Sequence, residues 1–183
     1  QCPDLTIYPA IQRDASAYNW RKKQKIYAKS KLYAATPSHW LMQKVKQSIL
    51  IPALVEHRVI QHGVDLSIFH PVDRQVVRSY LGIPANVILL LFIANNIRQN
   101  PFKDYPTLRS AVKLVAESAS VKGQKILFIA LGEALPGEQL GAVEIRFVPY
   151  QKDPQVVARY YQAADIYLHA AKAEVWGITI TEA

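Results

Sequence analysis

Four mostly apolar runs punctuate the second half of the chain: "VILLLFIA" (87–94), "KILFIALG" (125–132), "EIRFVPY" (144–150) and "DIYLHA" (165–170). Between them, "YPTLRSAVKLVAESA" (105–119) and "DPQVVARYYQAA" (153–164) space their apolar residues as amphipathic helices do. Strands that need no polar face, alternating with such helices, predict a parallel sheet covered on both sides. The expected strands lie near 87–94, 125–131, 144–148 and 165–169, and the fold class is doubly wound α/β. Ahead of them the pattern is less regular. It predicts a helix over 18–30, a short strand "LYAAT" closed by Pro37, and a helix in "SHWLMQKVKQSIL" with Leu41, Val45 and Ser48 on one stripe and Ser38 as N-cap. A strand "HRVIQHGVD" ending in a His-Gly turn follows, then a connector around "HPVDRQVVRSYLGIP" with one short helix.

Composition narrows the class. About half of the 183 residues are apolar, enough for a real core, and the apolar run within "ANVILLLFIANN" is too short to span a bilayer. A single cysteine, Cys2, leaves no internal disulfide and no cysteine-built zinc site, which points to a reducing, cytoplasmic setting. The net charge of +8 is unevenly placed: residues 1–60 hold ten Lys and Arg against three Asp and Glu, hence +7, and the remainder twelve against eleven, hence +1. The basic stretch "WRKKQKIYAKSK" (20–31) reads as a solvated helix face with Ile26 and Tyr27 turned inward, and also as a patch for an anionic membrane surface. Nucleic acid is not the expected partner, because no stacking platform or module signature accompanies the charge.

In a parallel sheet of this kind, ligands sit outside the carboxyl ends of the strands. The loop after the first strand carries Arg98 and Lys103, a guanidinium fork and a mobile ammonium suited to a diphosphate. The last strand runs into "AEVWGITITEA" (173–183), where Gly177 opens a helix at Ile178 and two carboxylates, Glu174 and Glu182, stand eight positions apart. A helix N-terminus favours phosphate, glycine permits close approach, and carboxylates accept hydrogen bonds from vicinal hydroxyls of a sugar or ribose. Taken singly, each of these residues also fits an ordinary surface role.

The order of the segments resembles a family. "AEVWGITITEA" is similar to the E-x7-E signature of retaining glycosyltransferases of the GT-B fold, group 1 or family 4. "YYQAADIYLHAAK" resembles the strand leading into it, and "NIRQNPFKD" its Arg-x4-Lys donor loop, with Asp104 where Gly is usual. "AATPSHWLMQKV" and "VIQHGVDLSIFHP" resemble a helix start and the interdomain segment, His62 standing in place of the usual Asn; "CPDLTIYPA" and "WRKKQKIY" look like a bacterial polysaccharide-building branch.

The resemblance implies a Rossmann-like sheet of GT-B type, seen as a fragment truncated at both ends. Residues 1–70 would be the end of the acceptor-side domain plus the connector, and residues 71–183 the start of the donor domain. It also implies roles. Arg98 and Lys103 would hold the donor diphosphate and offset charge on the leaving group; Glu174 would bind the donor sugar, catalysis resting on these three. Gly177 and Ile178 would support sugar and phosphate through their amides, and Glu182 would hold the ribose. No metal and no cofactor are implied; the substrates are a UDP- or GDP-sugar donor and a glycan or lipid-linked acceptor. The enzyme would be cytoplasmic, peripheral at the inner membrane face, and this piece inactive, with residues 1–60 folding poorly alone and prone to self-association. A non-catalytic nucleotide- or polyanion-binding module is the alternative. His39 and His169 are further candidates to donate to a ligand, and Tyr150 and the "GEALPGE" loop stay unassigned.

Overall fold

The computed structural model describes residues 4–6 and 10–183, so Cys2 and most of the segment 2–10 lie outside the described residues. The chain divides into two compact units, Gln1–His62 and Gly63–Ala183. The division falls ahead of the 70/71 boundary read from the sequence because the connector packs on the second unit. The Phe69 ring meets Tyr161 edge-on at 6.0 Å, and the Gln162 side-chain amide donates to the His70 carbonyl at 2.9 Å.

The first unit holds α1 (Ser16–Tyr27), β1 (Leu32–Thr36), α2 (His39–Lys46), a single 3-10 turn (Ile51–Ala53) and β2 (Leu54–Val59). β1 and β2 form a parallel pair, Tyr33 opposite Glu56 and Thr36 opposite Val59. Pro37 cannot donate to a ladder, so β1 ends there, and Ser38 accepts from the Leu41 amide at 3.2 Å to start α2. Met42, not Leu41 or Val45, is the fully buried residue of that helix. β2 begins three residues earlier than the sequence suggested and stops well before His62. α1 buries nothing, and Ile26, expected to face inward, is exposed while Tyr27 is half-buried. With four cations among Arg21, Lys22, Lys23 and Lys25, the helix keeps its charges in solvent at the expense of a defined apolar stripe.

The second unit holds α3 (Arg74–Leu81), β3 (Ile88–Ile93), α4 (Tyr105–Lys122), β4 (Ile126–Leu131), β5 (Glu138–Leu140), β6 (Val143–Val148), α5 (Pro154–Ala163), β7 (Ile166–Tyr167) and α6 (Ile178–Glu182). The sheet runs β5-β6-β4-β3-β7, with every pairing parallel except that of β5 with β6. Successive residues of β3 explain its unbroken apolarity. Leu90 and Phe92 join Val112, Phe128 and Ile145 on the α4 side, while Leu89 and Leu91 join Val77, Ile129 and Ala163 on the α3 and α5 side. α3 and α5 start on capped turns: Asp73 accepts from the Gln75 amide at 2.9 Å, and Asp153 from the Gln155 amide at 2.8 Å ahead of Pro154.

Two elements differ from the sequence reading. β5 is unanticipated, since "EQL" carries no strand pattern and sits at the sheet edge where no second face needs apolar cover. β7 has two residues instead of five, and much of its hold on the sheet comes from a side chain. Asp165 accepts from the Leu89 amide at 2.7 Å and from Arg74 and Arg78 at 2.6 Å each, and Arg78, only 3 % exposed, also donates to the Ala163 carbonyl at 2.9 Å.

Candidate functional site

The strand order reverses at β3: β4 and β6 follow on one side, β7 on the other. The crevice at the carboxyl ends of β3 and β7 is therefore the switch point of the sheet, where such folds place ligands. Its floor is tight. A Cβ on Gly132, just after β4, would lie 1.9 Å from the Ala94 carbonyl oxygen, so only glycine lets the two strand ends approach this closely.

The loop after β3 turns twice through left-handed backbone, at Asn96 (φ 53°) and Asp104 (φ 48°). Asp104 thus occupies a conformation that glycine adopts freely, and an aspartate tolerates it by bonding locally. Its carboxylate accepts from Thr107 Oγ1 at 2.9 Å and lies 3.3 Å from Lys172 Nζ. The Thr107 hydrogen bond, joined by Lys172, holds the Asp104 carboxyl below its usual range against the opposing effect of partial desolvation. The Lys172 amide in turn donates to the Phe102 carbonyl at 2.8 Å, so the loops after β3 and β7 are stitched together across the crevice.

Within this stitching, Lys103 Nζ donates to Glu174 Oε1, 71 residues away. The candidate diphosphate cation and the candidate sugar acid thus neutralise each other across the switch point. His169 joins them: its Nε2 lies 3.9 Å from the same oxygen, and Tyr167 Oη lies 3.4 Å from its Nδ1. Burial lowers the His169 pKa, Glu174 pulling it up and Lys103 down, so a neutral imidazole faces the pair at neutral pH.

Arg98 is not brought to that pair. Its guanidinium reaches Glu138 Oε1 at 3.4 Å and lies over the Phe147 ring, 5.6 Å from the centroid, while its amide donates to Glu133 at 2.9 Å. Glu182 is also apart. Tyr161 Oη lies 3.0 Å from the Thr179 carbonyl and 3.2 Å from Glu182 Oε2, and burial raises the pKa of both Tyr161 and Glu182. Glu182 lines a groove of about 670 Å³ beside β7, together with Phe69, His70, Arg74, Tyr161 and Tyr167; Arg98, Lys103 and Glu174 do not line it. Gly177 caps α6, and the Ile178 amide, expected to face a ligand, donates to the Trp176 carbonyl at 3.0 Å.

The interactions that sequence reading missed are Asp104 with Lys172, and Glu138 with Arg98 and Arg109. The positive φ was legible in the departure from glycine at 104. The pairing of residues 29, 40 or 68 positions apart carries no local signal. Among the described residues, no three His, Cys, Asp or Glu side chains gather as a metal site, and no helix is long and apolar enough to cross a membrane.

Comparison with known proteins bears on what this crevice belongs to. No protein-family model matches the chain. Over 137 residues it is 32 % identical to a D-inositol 3-phosphate glycosyltransferase of Mycobacterium avium, covering 72 % of this chain and 31 % of that protein. A protein of the same name from Thermobispora bispora is 28 % identical over 137 residues, covering 68 % and 31 %. Among solved structures, sucrose-phosphate synthase from Thermosynechococcus elongatus superposes with a TM-score of 0.61 over 94 % of this chain and 43 % of that one, at 16 % identity. This chain has the GT-B fold and is similar in sequence to glycosyltransferases. A glycosyltransferase from Rickettsia africae superposes at a TM-score of 0.55 over 88 % of the chain and 45 % of its own, at 17 % identity. The chain spans about a third of the length of the curated relatives it matches, and the shared GT-B fold accounts for the Rossmann-like order of the β3 sheet.

Proposed function

We propose that the second unit is the donor-binding part of a retaining glycosyltransferase that moves a sugar from a nucleoside diphosphate to a glycan or lipid-linked acceptor. The observation that carries this reading is the meeting of Lys103 and Glu174 at the switch point, a cation from the loop after β3 against an acid from the loop after β7. In the reaction the bond from the anomeric carbon to the diphosphate breaks and its electrons pass to the phosphate oxygen. The new bond forms on the same face, and the acceptor proton goes to the departing phosphate. Lys103 and Arg98 offset the charge that builds on the leaving group, an electrostatic task. Glu174 and Glu182 act as hydroxyl acceptors rather than as the acid and nucleophile of a glycosidase.

The unliganded geometry gives each group a partner to exchange. Lys103 turns from Glu174 to phosphate, which frees that carboxylate for sugar hydroxyls, with the neutral His169 beside it. Glu182 and Tyr161 offer an acceptor and a donor to the ribose. α1 carries Arg21, Lys22, Lys23 and Lys25 exposed beside Trp20, which supports contact with an anionic membrane surface.

Calorimetry with pyrophosphate, UDP, GDP and their sugar conjugates tests the assignment. Lys103→Ala or Arg98→Ala weakens every one of these ligands, by about 1.5–3 kcal/mol for a lost charged hydrogen bond. Glu182→Ala weakens the nucleotides and spares pyrophosphate, and Glu174→Ala matters only for the sugar conjugates. Equal loss for pyrophosphate and UDP on removing Glu182 would overturn the division of roles.

A further inference from the structure

Glu138 closes the "GEALPGE" loop left unassigned in the sequence and opens β5, and its two carboxylate oxygens serve two arginines. Oε2 accepts from Arg109 Nε at 3.1 Å and from a terminal nitrogen of the same guanidinium at 2.7 Å. Among the described residues, Oε1 accepts the longer 3.4 Å contact from Arg98. Arg109 is therefore the firm partner and Arg98 the loose one, and the hydrogen bond and charge of Glu138 raise the Arg109 pKa accordingly. Below Arg98 the Phe147 ring is held by Tyr105, edge to face at 5.9 Å, and Tyr105 is stacked on Phe92 at 6.3 Å, so the guanidinium rests on a fixed aromatic platform.

The charge count of this triad is the telling feature. Two guanidinium groups and one carboxylate leave one positive charge in excess. If Arg98 moves to an anion, Glu138 keeps Arg109, and no carboxylate is stranded. An Arg98–Glu138 pair without Arg109 would lack that property, because departure would leave a partly covered carboxylate, 25 % exposed, with no cation beside it.

We propose that Glu138 is a positioning residue for Arg98: it parks the guanidinium over Phe147 while the donor site is empty and releases it to the diphosphate, with Arg109 holding the carboxylate as Arg98 leaves. This rests on the reading of Arg98 as a diphosphate ligand. It goes beyond that reading by giving two residues that touch no substrate a part in setting donor affinity.

The test is pyrophosphate binding by calorimetry on the whole chain, with circular dichroism confirming the fold of each variant. Glu138→Gln tightens binding about two- to fivefold, the range of a partly exposed ion pair, because Arg98 no longer has a carboxylate to leave. Arg109→Ala weakens it by a similar factor, because Glu138 then retains Arg98; Arg109→Lys, which keeps the charge without the fork, falls between. A simple change in local field predicts the same signs, so the double variants decide. In the Arg98→Ala background Glu138→Gln has no effect, and in the Glu138→Gln background Arg109→Ala has none. Persistence of either effect in the double variant overturns the proposal, as does weaker binding by Glu138→Gln alone. If Arg98→Ala itself leaves pyrophosphate affinity unchanged, the diphosphate assignment of Arg98 fails first, and that outcome is distinct from a failure of the Glu138 proposal alone.

Discussion

The two units share a parallel pairing of strands but differ in what covers them. Of the fully buried apolar residues among the described ones, the first unit contributes Met42 and Ala53, while the second contributes two clusters on opposite faces of one sheet. In the first unit Tyr33, Val55 and Ile60 stand 74, 53 and 60 % exposed on or beside the two-stranded sheet. A parallel pair lacks the stability to stand with one open face, and its local unfolding free energy is correspondingly low. The difference teaches that an apolar strand announces itself in sequence only where both of its faces are buried.

The sharpest way to break this comparison is to make like truncations in each unit. Phe128, with no exposure, lies at the centre of the α4-side core, and Phe128→Ala costs about 3–5 kcal/mol by urea unfolding. Met42→Ala, in the sparser core that can collapse around the gap, costs about 2 kcal/mol or less. Equal losses would mean that the first unit is as well packed as the second. Hydrogen exchange gives the same contrast without substitution, with β3 and β4 amides protected for far longer than those of β1 and β2.

Arg78 and Asp165 come next. Removing one partner of a fully buried pair costs about 3–5 kcal/mol, but Asp165 is 26 % exposed and retains Arg74, so Arg78→Ala costs about 2–3 kcal/mol. Burial pushes the Asp165 carboxyl up, yet the Leu89 amide, Arg78 and Arg74 outweigh it and hold it below the ordinary carboxylate range. Its stabilisation is thus present above the unfolded pKa and is lost as pH falls through the lower folded one. Asp165→Asn is less stable than the parent protein at neutral pH, and the gap closes below pH of about 4, the unfolded aspartate range. A gap that widens in acid would refute this.

The smallest effect is at Asp104. Glycine relieves the left-handed backbone but loses the Thr107 and Lys172 contacts, so Asp104→Gly leaves the urea midpoint almost unchanged. A larger loss would show that the clasp between the two loops carries more than its exposure suggests.

These contrasts also explain what could be read from residues alone. β3, β4 and β6 lie within two residues of their expected positions, because the α4 side and the α3 and α5 side each demand an apolar residue at alternate positions. β5 is an edge strand whose polar residues masked it, and β2, only half covered, was read from His57 instead of Leu54. The position of the loops that carry Arg98, Lys103 and Glu174, after β3 and β7, was legible because a parallel sheet dictates where its strands end. The pairings inside them were not. Nothing local to "NIRQNPFKD" tells that Lys103 meets Glu174 while Arg98 turns to Glu138. Nor does the eight-residue spacing of Glu174 and Glu182 reveal that the second carboxylate bonds Tyr161 on another helix.

Asp165 also sets the order in which the molecule can assemble. Its three partners lie 76, 87 and 91 positions back along the chain, whereas β7 adds only two ladder positions, Leu90 with Ile166 and Leu91 with Tyr167. Closing so long a loop is rewarded only once β3 and α3 are already in place to receive the carboxylate. β7 is therefore expected to dock onto β3 and α3 that are already in place. Substitutions at Asp165 then accelerate unfolding and leave the folding rate almost untouched, and the side of the crevice that bears Glu174 is the last part of the site to form.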